Sequence, residues 1–87
     1  MSCQLCERDL DLTKHHLIPK TYHNNTWFKK RFSKEDMHSR IINICPDCHK
    51  FIHGHYKERE LGREYNTLEK LQNQEKIIKF VNWVKKR

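Results

Sequence analysis

Cysteine and histidine residues with the spacing of metal ligands stand out in this chain of 87 residues. They form two C-x-x-C pairs, an adjacent histidine pair and a His-x-x-x-His pair: Cys3 and Cys6, Cys45 and Cys48, His15 and His16, and His49 and His53. Four thiolates complete the tetrahedral coordination of a zinc ion, whereas three imidazoles leave a position for water or a substrate oxygen. The spacing therefore predicts two metal sites, one structural and one able to do chemistry.

Two disulfides are the alternative use of four cysteines. Thiols stay reduced in a reducing compartment, and two tight C-x-x-C pairs match zinc-ligand spacing better than disulfide spacing. The segment between the pairs is longer than in a simple zinc ribbon. We therefore expect a structural zinc ion and an intervening segment that folds and carries the histidine pair.

The composition limits the size of the core and the location of the protein. With 87 residues and 36% hydrophobic residues, the chain is one domain at most and needs more than apolar burial to hold it together. No apolar run approaches the roughly 18 to 20 residues of a membrane span, and the N-terminus lacks a signal-peptide layout. We expect a cytoplasmic protein that is not associated with a membrane.

The charge balance favours a polyanionic partner. Eighteen lysines and arginines against eleven acidic residues give a net charge of +7, and nucleic acid is the simplest partner for such a chain. The run Lys29, Lys30 and Arg31 is either a solvated surface or a patch that contacts phosphates.

Two short strands precede and follow the polar middle of the chain. Residues 10–18 alternate enough to predict a strand that Pro19 ends. The β-branched residues Ile41, Ile42 and Ile44 predict a second strand that pairs with the first.

A helix is expected directly after the second strand. Pro46 suits the first helical position, with Cys45 as its N-cap, and Gly54 can end or bend the helix after about His53. Because His49 and His53 are four residues apart, they project from one face of this helix.

The polar segment of residues 20–39 is expected to be a loop with one short helical turn. Residues 33–36 within it resemble the start of a helix. Residues 57–65 read as helical, and residues 66–69 have the form of a capping box that begins another helix. The last helix should pack through Ile77, Phe80, Val81 and Val84, with Trp83 as a packing or edge residue. The other histidines, His23, His38 and His55, are expected at the surface or in loops.

Residues 12–20, together with Cys45-Pro46-Asp47-Cys48-His49 and His53, resemble the HNH endonuclease family. The resemblance implies an α+β fold, with a small treble-clef-like ββα-metal core held together by zinc. It also implies that residues 1–56 form this nuclease core and that residues 57–87 form a C-terminal helical extension packed on it, in a single domain.

The resemblance also assigns roles to the histidines. It implies that His15, His49 and His53 ligate a catalytic divalent ion, such as Mg²⁺, Mn²⁺, Ni²⁺ or Zn²⁺, and that His16 is the general base. A neutral imidazole with a pKa near neutrality suits that task.

The chain departs from the family pattern at one position. An asparagine usually lies nine residues before the first helix histidine, where it holds the hairpin loop and the base in place, but this chain has Arg40 there. Asn43 is the residue expected to take its catalytic role, with His38 as the other candidate.

These observations predict a metal-dependent endonuclease or nickase that hydrolyses phosphodiester bonds, with double-stranded DNA as its substrate. The alternative is a non-catalytic zinc module that binds nucleic acid or protein. In that module His16 would be the fourth ligand of a closed second zinc site. The sequence does not indicate an oligomeric state.

Overall fold

The computed structural model describes residues 2–86, so that Met1 and Arg87, the outer ends of the predicted core and extension, lie outside the described residues. The elements are β1 (Thr13–His16), a 3-10 turn (Lys20–Tyr22), α1 (Thr26–Arg31), α2 (Lys34–Ser39), β2 (Ile41–Ile44), α3 (Pro46–His55), α4 (Glu58–Glu64), α5 (Leu68–Gln72) and α6 (Glu75–Lys85). The fold is α+β, as the sequence predicted. No helix among residues 2–86 is long and apolar enough to cross a membrane.

The two strands form an antiparallel pair, which confirms the predicted pairing. Thr13 lies opposite Ile44 and His16 lies opposite Ile41. The predicted first strand, residues 10–18, was too long, because pairing extends only over the four residues that β2 offers. Beyond His16 the Leu17 N–H donates to the carbonyl of Arg40 at 2.8 Å, and the chain turns away from the sheet.

The connection between the strands contains two helices, so the prediction of a loop with one helical turn was wrong. Asn25 caps α1 by accepting from the Trp27 N–H, and Ser33 caps α2 by accepting from the Asp36 N–H. Each helix buries one apolar residue, and with Ile18 these form a small core cluster, Ile18, Phe28 and Met37. One buried residue per helix is too weak a periodic signal to detect in a polar sequence.

Helix α3 begins as predicted, with Cys45 as N-cap and Pro46 at the first position. It does not end at Gly54, because the helix continues to His55 and neither glycine has a positive φ. The predicted capping box also needs correction. Thr67 caps α5 by accepting from the Lys70 N–H, whereas the buried Asn66 donates its amide to the carbonyl of Gly62.

The main core joins the two ends of the chain. Its buried residues run from Cys3 and Leu5 at the N-terminus to Ile77 and Val84 of α6. Phe80 and Val81 pack against this cluster, as predicted, while Trp83 is 58% exposed beside Phe80. The two C-x-x-C segments, the hairpin and the last helix therefore share one core.

The two glycines should respond in opposite ways to alanine. A Cβ at Gly54 would meet nothing within 4 Å, so Gly54→Ala should raise the free energy of unfolding by about 0.5–1 kcal/mol through helix propensity. A Cβ at Gly62 would lie 2.9 Å from two ring atoms of the buried Phe28 and 3.3 Å from Pro19. Gly62→Ala should therefore cost about 1–3 kcal/mol by overpacking. Chemical denaturation in excess zinc measures both, and equal effects would contradict this packing.

Candidate metal centres

The four cysteines meet in one buried cluster between the N-terminal segment and the start of α3. All four are free thiols and buried, and their sulfur atoms lie within 4.8 Å of one another. The Sγ atoms of Cys3 and Cys48 are 3.8 Å apart and those of Cys6 and Cys45 are 3.7 Å apart. Sulfur atoms bonded to one tetrahedral zinc at about 2.3 Å are about 3.8 Å apart, whereas a disulfide bond is about 2.05 Å long. The cluster therefore fits zinc and not disulfides.

Backbone N–H groups donate hydrogen bonds to two of these sulfur atoms, which favours a negative charge on them. Cys3 Sγ accepts from the N–H groups of Leu5 and Cys6, each at 3.4 Å, and Cys45 Sγ accepts from the Cys48 N–H at 3.5 Å. Burial in this cluster raises the pKa of the Cys45 and Cys48 thiols. A cation is therefore needed to keep all four sulfurs deprotonated together.

Arg8 adds a positive charge beside the cluster. Its Nε donates to Cys6 Sγ at 3.3 Å, and its Nη2 donates to Cys45 Sγ at 3.5 Å and to the Asp47 carboxylate at 3.0 Å. Burial alone would raise the pKa of the Cys6 thiol, but the hydrogen bonds from Arg8 outweigh it and lower that pKa to about 7. Arg8 thus connects both C-x-x-C pairs and supports their thiolate form.

The second group of candidate ligands comprises His15, His49 and His53, whose ring nitrogens approach within 4.8 Å of one another. The ring centroid of His15 lies 5.3 Å from each of the other two, and those two are 4.8 Å apart. The strand pairing and the helix face therefore bring together the three residues that the sequence proposed as ligands. The cleft at this site has a volume of about 300 Å³ and is lined by Thr13, Pro46, His49, Lys50 and His53.

His15 is the residue that most needs a partner. It is fully buried, and neither ring nitrogen has a hydrogen-bond partner among the described residues. Burial, together with the neighbouring His49, His53 and His16, lowers its pKa to about 3, so that the ring is neutral. A buried imidazole without partners is costly, and a metal ion would supply a partner to one of its nitrogens. The donor set therefore fits a divalent ion.

Thr13 determines which nitrogen His49 presents. The Thr13 hydroxyl donates to the carbonyl of Ile44 at 3.0 Å, and its oxygen lies 2.7 Å from His49 Nδ1. Because the single hydroxyl proton is used on Ile44, the Nδ1–H of His49 donates to Oγ1. The lone pair of His49 is then on Nε2, as in metal-binding histidines whose other nitrogen is held by an outer partner.

The side chains of His15 and His16 point to opposite sides of the sheet, since the two residues are successive in β1. His16 is partly exposed, and the rings of His16 and His23 are 6.3 Å apart. Burial lowers the pKa of His16, and the electrostatic influence of its neighbours Lys20, His23, His38 and Lys14 lowers it further. Among the described residues, His16 is not part of the group of mutually close ring nitrogens that the other three histidines form.

Asn43 lies on β2 opposite Lys14. Its N–H donates to the side-chain carbonyl of Gln4 at 2.6 Å and its carbonyl accepts from the Gln4 N–H at 3.0 Å. The backbone of Asn43 thus attaches the first C-x-x-C segment to the hairpin. Its predicted catalytic role stays a prediction.

His23 was expected to be a surface or loop residue; it lies in a turn, but it is not at the surface. His38 and His55 are exposed as expected, but His23 is only 7% exposed, because its ring packs between the rings of His16 and His38. Its position between Tyr22 and Asn24 carries no periodic signal that distinguishes it from a surface histidine. Only the folded connection between the strands reveals its burial.

Comparison with known proteins places this chain beside one bacterial relative. It is 33% identical over 85 residues to the uncharacterized protein YisB of Bacillus subtilis (strain 168), an alignment that covers 97% of this chain and 73% of the relative. The chain belongs to the YisB family. No family model and no solved structure matches it.

The Arg8 contacts predict slower loss of zinc from the cysteine site. We expect purified protein to contain one zinc per chain and Arg8→Gln to release it to a chelator about 10-fold or more faster, since outer partners typically contribute 10- to 100-fold to metal affinity. A colorimetric chelator assay measures the release, with the exposed Arg59→Gln as control. Equal release rates for wild type and Arg8→Gln would contradict this role.

The Thr13 contact predicts a matched pair of variants at the histidine site. Thr13→Val removes the acceptor for His49 Nδ1 at nearly constant volume, so divalent-metal affinity of the three histidines should fall by about 10- to 100-fold. Thr13→Ser keeps the hydroxyl and should bind as the wild type does. Titration with Co²⁺, after zinc has filled the cysteine site, measures this through the cobalt absorbance. Unchanged affinity in Thr13→Val would show that the hydroxyl does not orient His49.

Proposed function

We propose that this protein is a metal-dependent DNA endonuclease or nickase of the HNH type. The observation that carries the proposal is the convergence of His15, His49 and His53, the last two of which line an open cleft, with the separate histidine His16 adjacent in sequence. Few other roles need three clustered imidazoles and a further histidine on a basic scaffold. The resemblance of residues 12–20 and 45–53 to HNH nucleases supports the same assignment.

The three clustered histidines would hold the catalytic ion. A divalent ion supplies, when bound, Lewis-acid polarisation of a phosphate oxygen. Imidazole ligands suit Zn²⁺ and Ni²⁺, whereas Mn²⁺ and Mg²⁺ prefer oxygen ligands, so their binding here would depend on their availability in the cell. His15 binds as a neutral ligand without competition from protons because burial and its histidine neighbours depress its pKa.

His16 would be the general base. Its lowered pKa keeps the ring neutral near physiological pH, so that one nitrogen can accept a proton from the attacking water. Lys14 and Lys20, which help to depress that pKa, also offer positive charge beside the base. These lysines can hold the phosphate backbone close to His16.

Further positive charge supports DNA as the partner. The net charge is +7, and the three basic residues at the end of α1 are exposed. Arg31 lies over the Trp27 ring at 3.9 Å and donates to the Trp27 carbonyl at 3.0 Å, which limits its motion. Lys50 lines the cleft of the histidine site. These charges favour phosphate contacts more than reading of base edges.

The competing proposal is a closed zinc site with His16 as fourth ligand in a non-catalytic module. His16 does not belong to the group of mutually close ligand nitrogens that His15, His49 and His53 form, which supports the open site instead. We therefore expect His16 to be dispensable for metal binding and necessary for cleavage.

A plasmid-nicking assay with added Mg²⁺, Mn²⁺, Ni²⁺ or Zn²⁺ tests the proposal. His16→Ala should lower the cleavage rate by about 100- to 10,000-fold, because it removes the base. It should leave metal affinity unchanged, so excess metal should not rescue it. His49→Ala should weaken metal binding and recover part of its rate at high metal concentration. The exposed His55→Ala is the histidine control and should cleave normally.

Two outcomes would overturn the proposal. Absence of cleavage by the wild type with every ion would exclude the nuclease under these conditions. Loss of metal binding in His16→Ala as severe as in His49→Ala would favour the closed zinc site.

A further inference from the structure

His23 is a buried imidazole whose hydrogen bond reaches the strand end that carries His16. Its Nε2 lies 2.8 Å from the carbonyl oxygen of Ile18. A carbonyl oxygen only accepts, so Nε2 carries a proton. Nδ1 is buried without a hydrogen-bond partner among the described residues. The site therefore uses one nitrogen of His23 for a specific backbone contact.

The contact between His23 and Ile18 holds the segment of chain that follows His16. Ile18 is two residues beyond His16, after β1 has ended, and the Leu17 N–H between them donates to the Arg40 carbonyl. The His23 side chain closes the turn that follows, which also contains the bonds from the Tyr22 N–H to the Pro19 carbonyl and from the His23 N–H to the Lys20 carbonyl. The direction of the chain after His16 thus depends on His23.

The His23 ring also lies beside the His16 ring itself. The ring centroids of His16 and His23 are 6.3 Å apart, with an interplanar angle of 64°. The ring centroids of His38 and His23 are 4.8 Å apart, with an interplanar angle of 90°. His38 is exposed, whereas His23 is 7% exposed. His23 therefore occupies the space between α2 and His16 and limits the orientations that His16 can adopt.

The geometry points to His23 as a positioning residue for His16. The inference rests on the proposed function of His16 as general base. His23 fixes the backbone beyond His16 through Ile18 and restricts the His16 ring through ring contact. A displacement of about 1 Å at a reacting group costs on the order of 100-fold in rate, so loss of this support should affect turnover more than binding.

Two amide variants separate the hydrogen bond from the bulk of the ring. The amide nitrogen of glutamine can occupy the place of Nε2 and reach the Ile18 carbonyl, whereas the shorter asparagine can replace only Nδ1. His23→Asn should lower kcat by about 100-fold with KM and the metal affinity of the three clustered histidines unchanged. His23→Gln should remain within about threefold of the wild type. His55→Asn and His55→Gln are the matched controls.

Three results of these assays would overturn the inference. They are cleavage by His23→Asn at the wild-type rate, a loss in His23→Gln as large as in His23→Asn, or a fall in kcat accompanied by an equal fall in metal affinity. The last would mean that His23 only maintains the fold.

A readout without DNA keeps the inference separate from the nuclease proposal. Nitrogen-15 NMR of the histidine rings should show His23 protonated on Nε2, and His23→Asn should shift the ring resonances of His16, while His55→Asn should not. The absence of a proton on Nε2 of His23, or unchanged His16 resonances in a folded His23→Asn variant, overturns the positioning role. If the wild type cleaves no DNA while these NMR results hold, the proposed function fails and the contact between His23 and His16 stands.

Discussion

The contact between the two C-x-x-C segments determines where the other elements lie. Cys45 directly follows β2, caps α3 and contributes a sulfur to the cluster. The same residue therefore fixes the end of the sheet, the start of the helix and the position of the N-terminal segment. Because helix residues project at fixed angles from their start, the cap at Cys45 also sets the direction of His49 and His53. A chain with 36% hydrophobic residues needs this cross-link more than a larger domain would.

The strand pairing separates two kinds of histidine at adjacent positions. His15 lies opposite Ile42 and is buried against the helix, whereas His16 lies opposite Ile41 and is partly exposed. Alternation along a strand gives this separation without any special backbone geometry. The inner position favours a neutral, permanently held ring, and the outer position favours access to solvent. In the proposed enzyme these environments suit a ligand and a proton acceptor respectively.

Local patterns predicted the parts of this fold that depend on local chemistry. The cap at Cys45 with Pro46, the spacing of His49 and His53, and the apolar face of α6 all follow from residue type and spacing, and the structure confirms them. The helices between the strands and the burial of His23 could not be predicted. They depend on tertiary contacts, and the sequence of this segment has no periodic pattern of apolar residues that would indicate them. Gly54 does not end α3, because the helical hydrogen bonds continue across it, as that from the Tyr56 N–H to the Ile52 carbonyl shows, despite its weak helix propensity.

The side chain and the backbone carbonyl of Arg40 make contacts in different parts of the structure. Its guanidinium binds the Asp36 carboxylate and the carbonyl of Asn66 and lies over the Phe32 ring, so it joins α2 to the segment before α5. Its carbonyl, however, accepts from Leu17, the residue after His16. Any residue can supply that carbonyl. This end of the hairpin can therefore be held without an asparagine side chain. The Arg40 carbonyl accepts from the Leu17 N–H, and the His23 ring donates to the carbonyl of the next residue, Ile18.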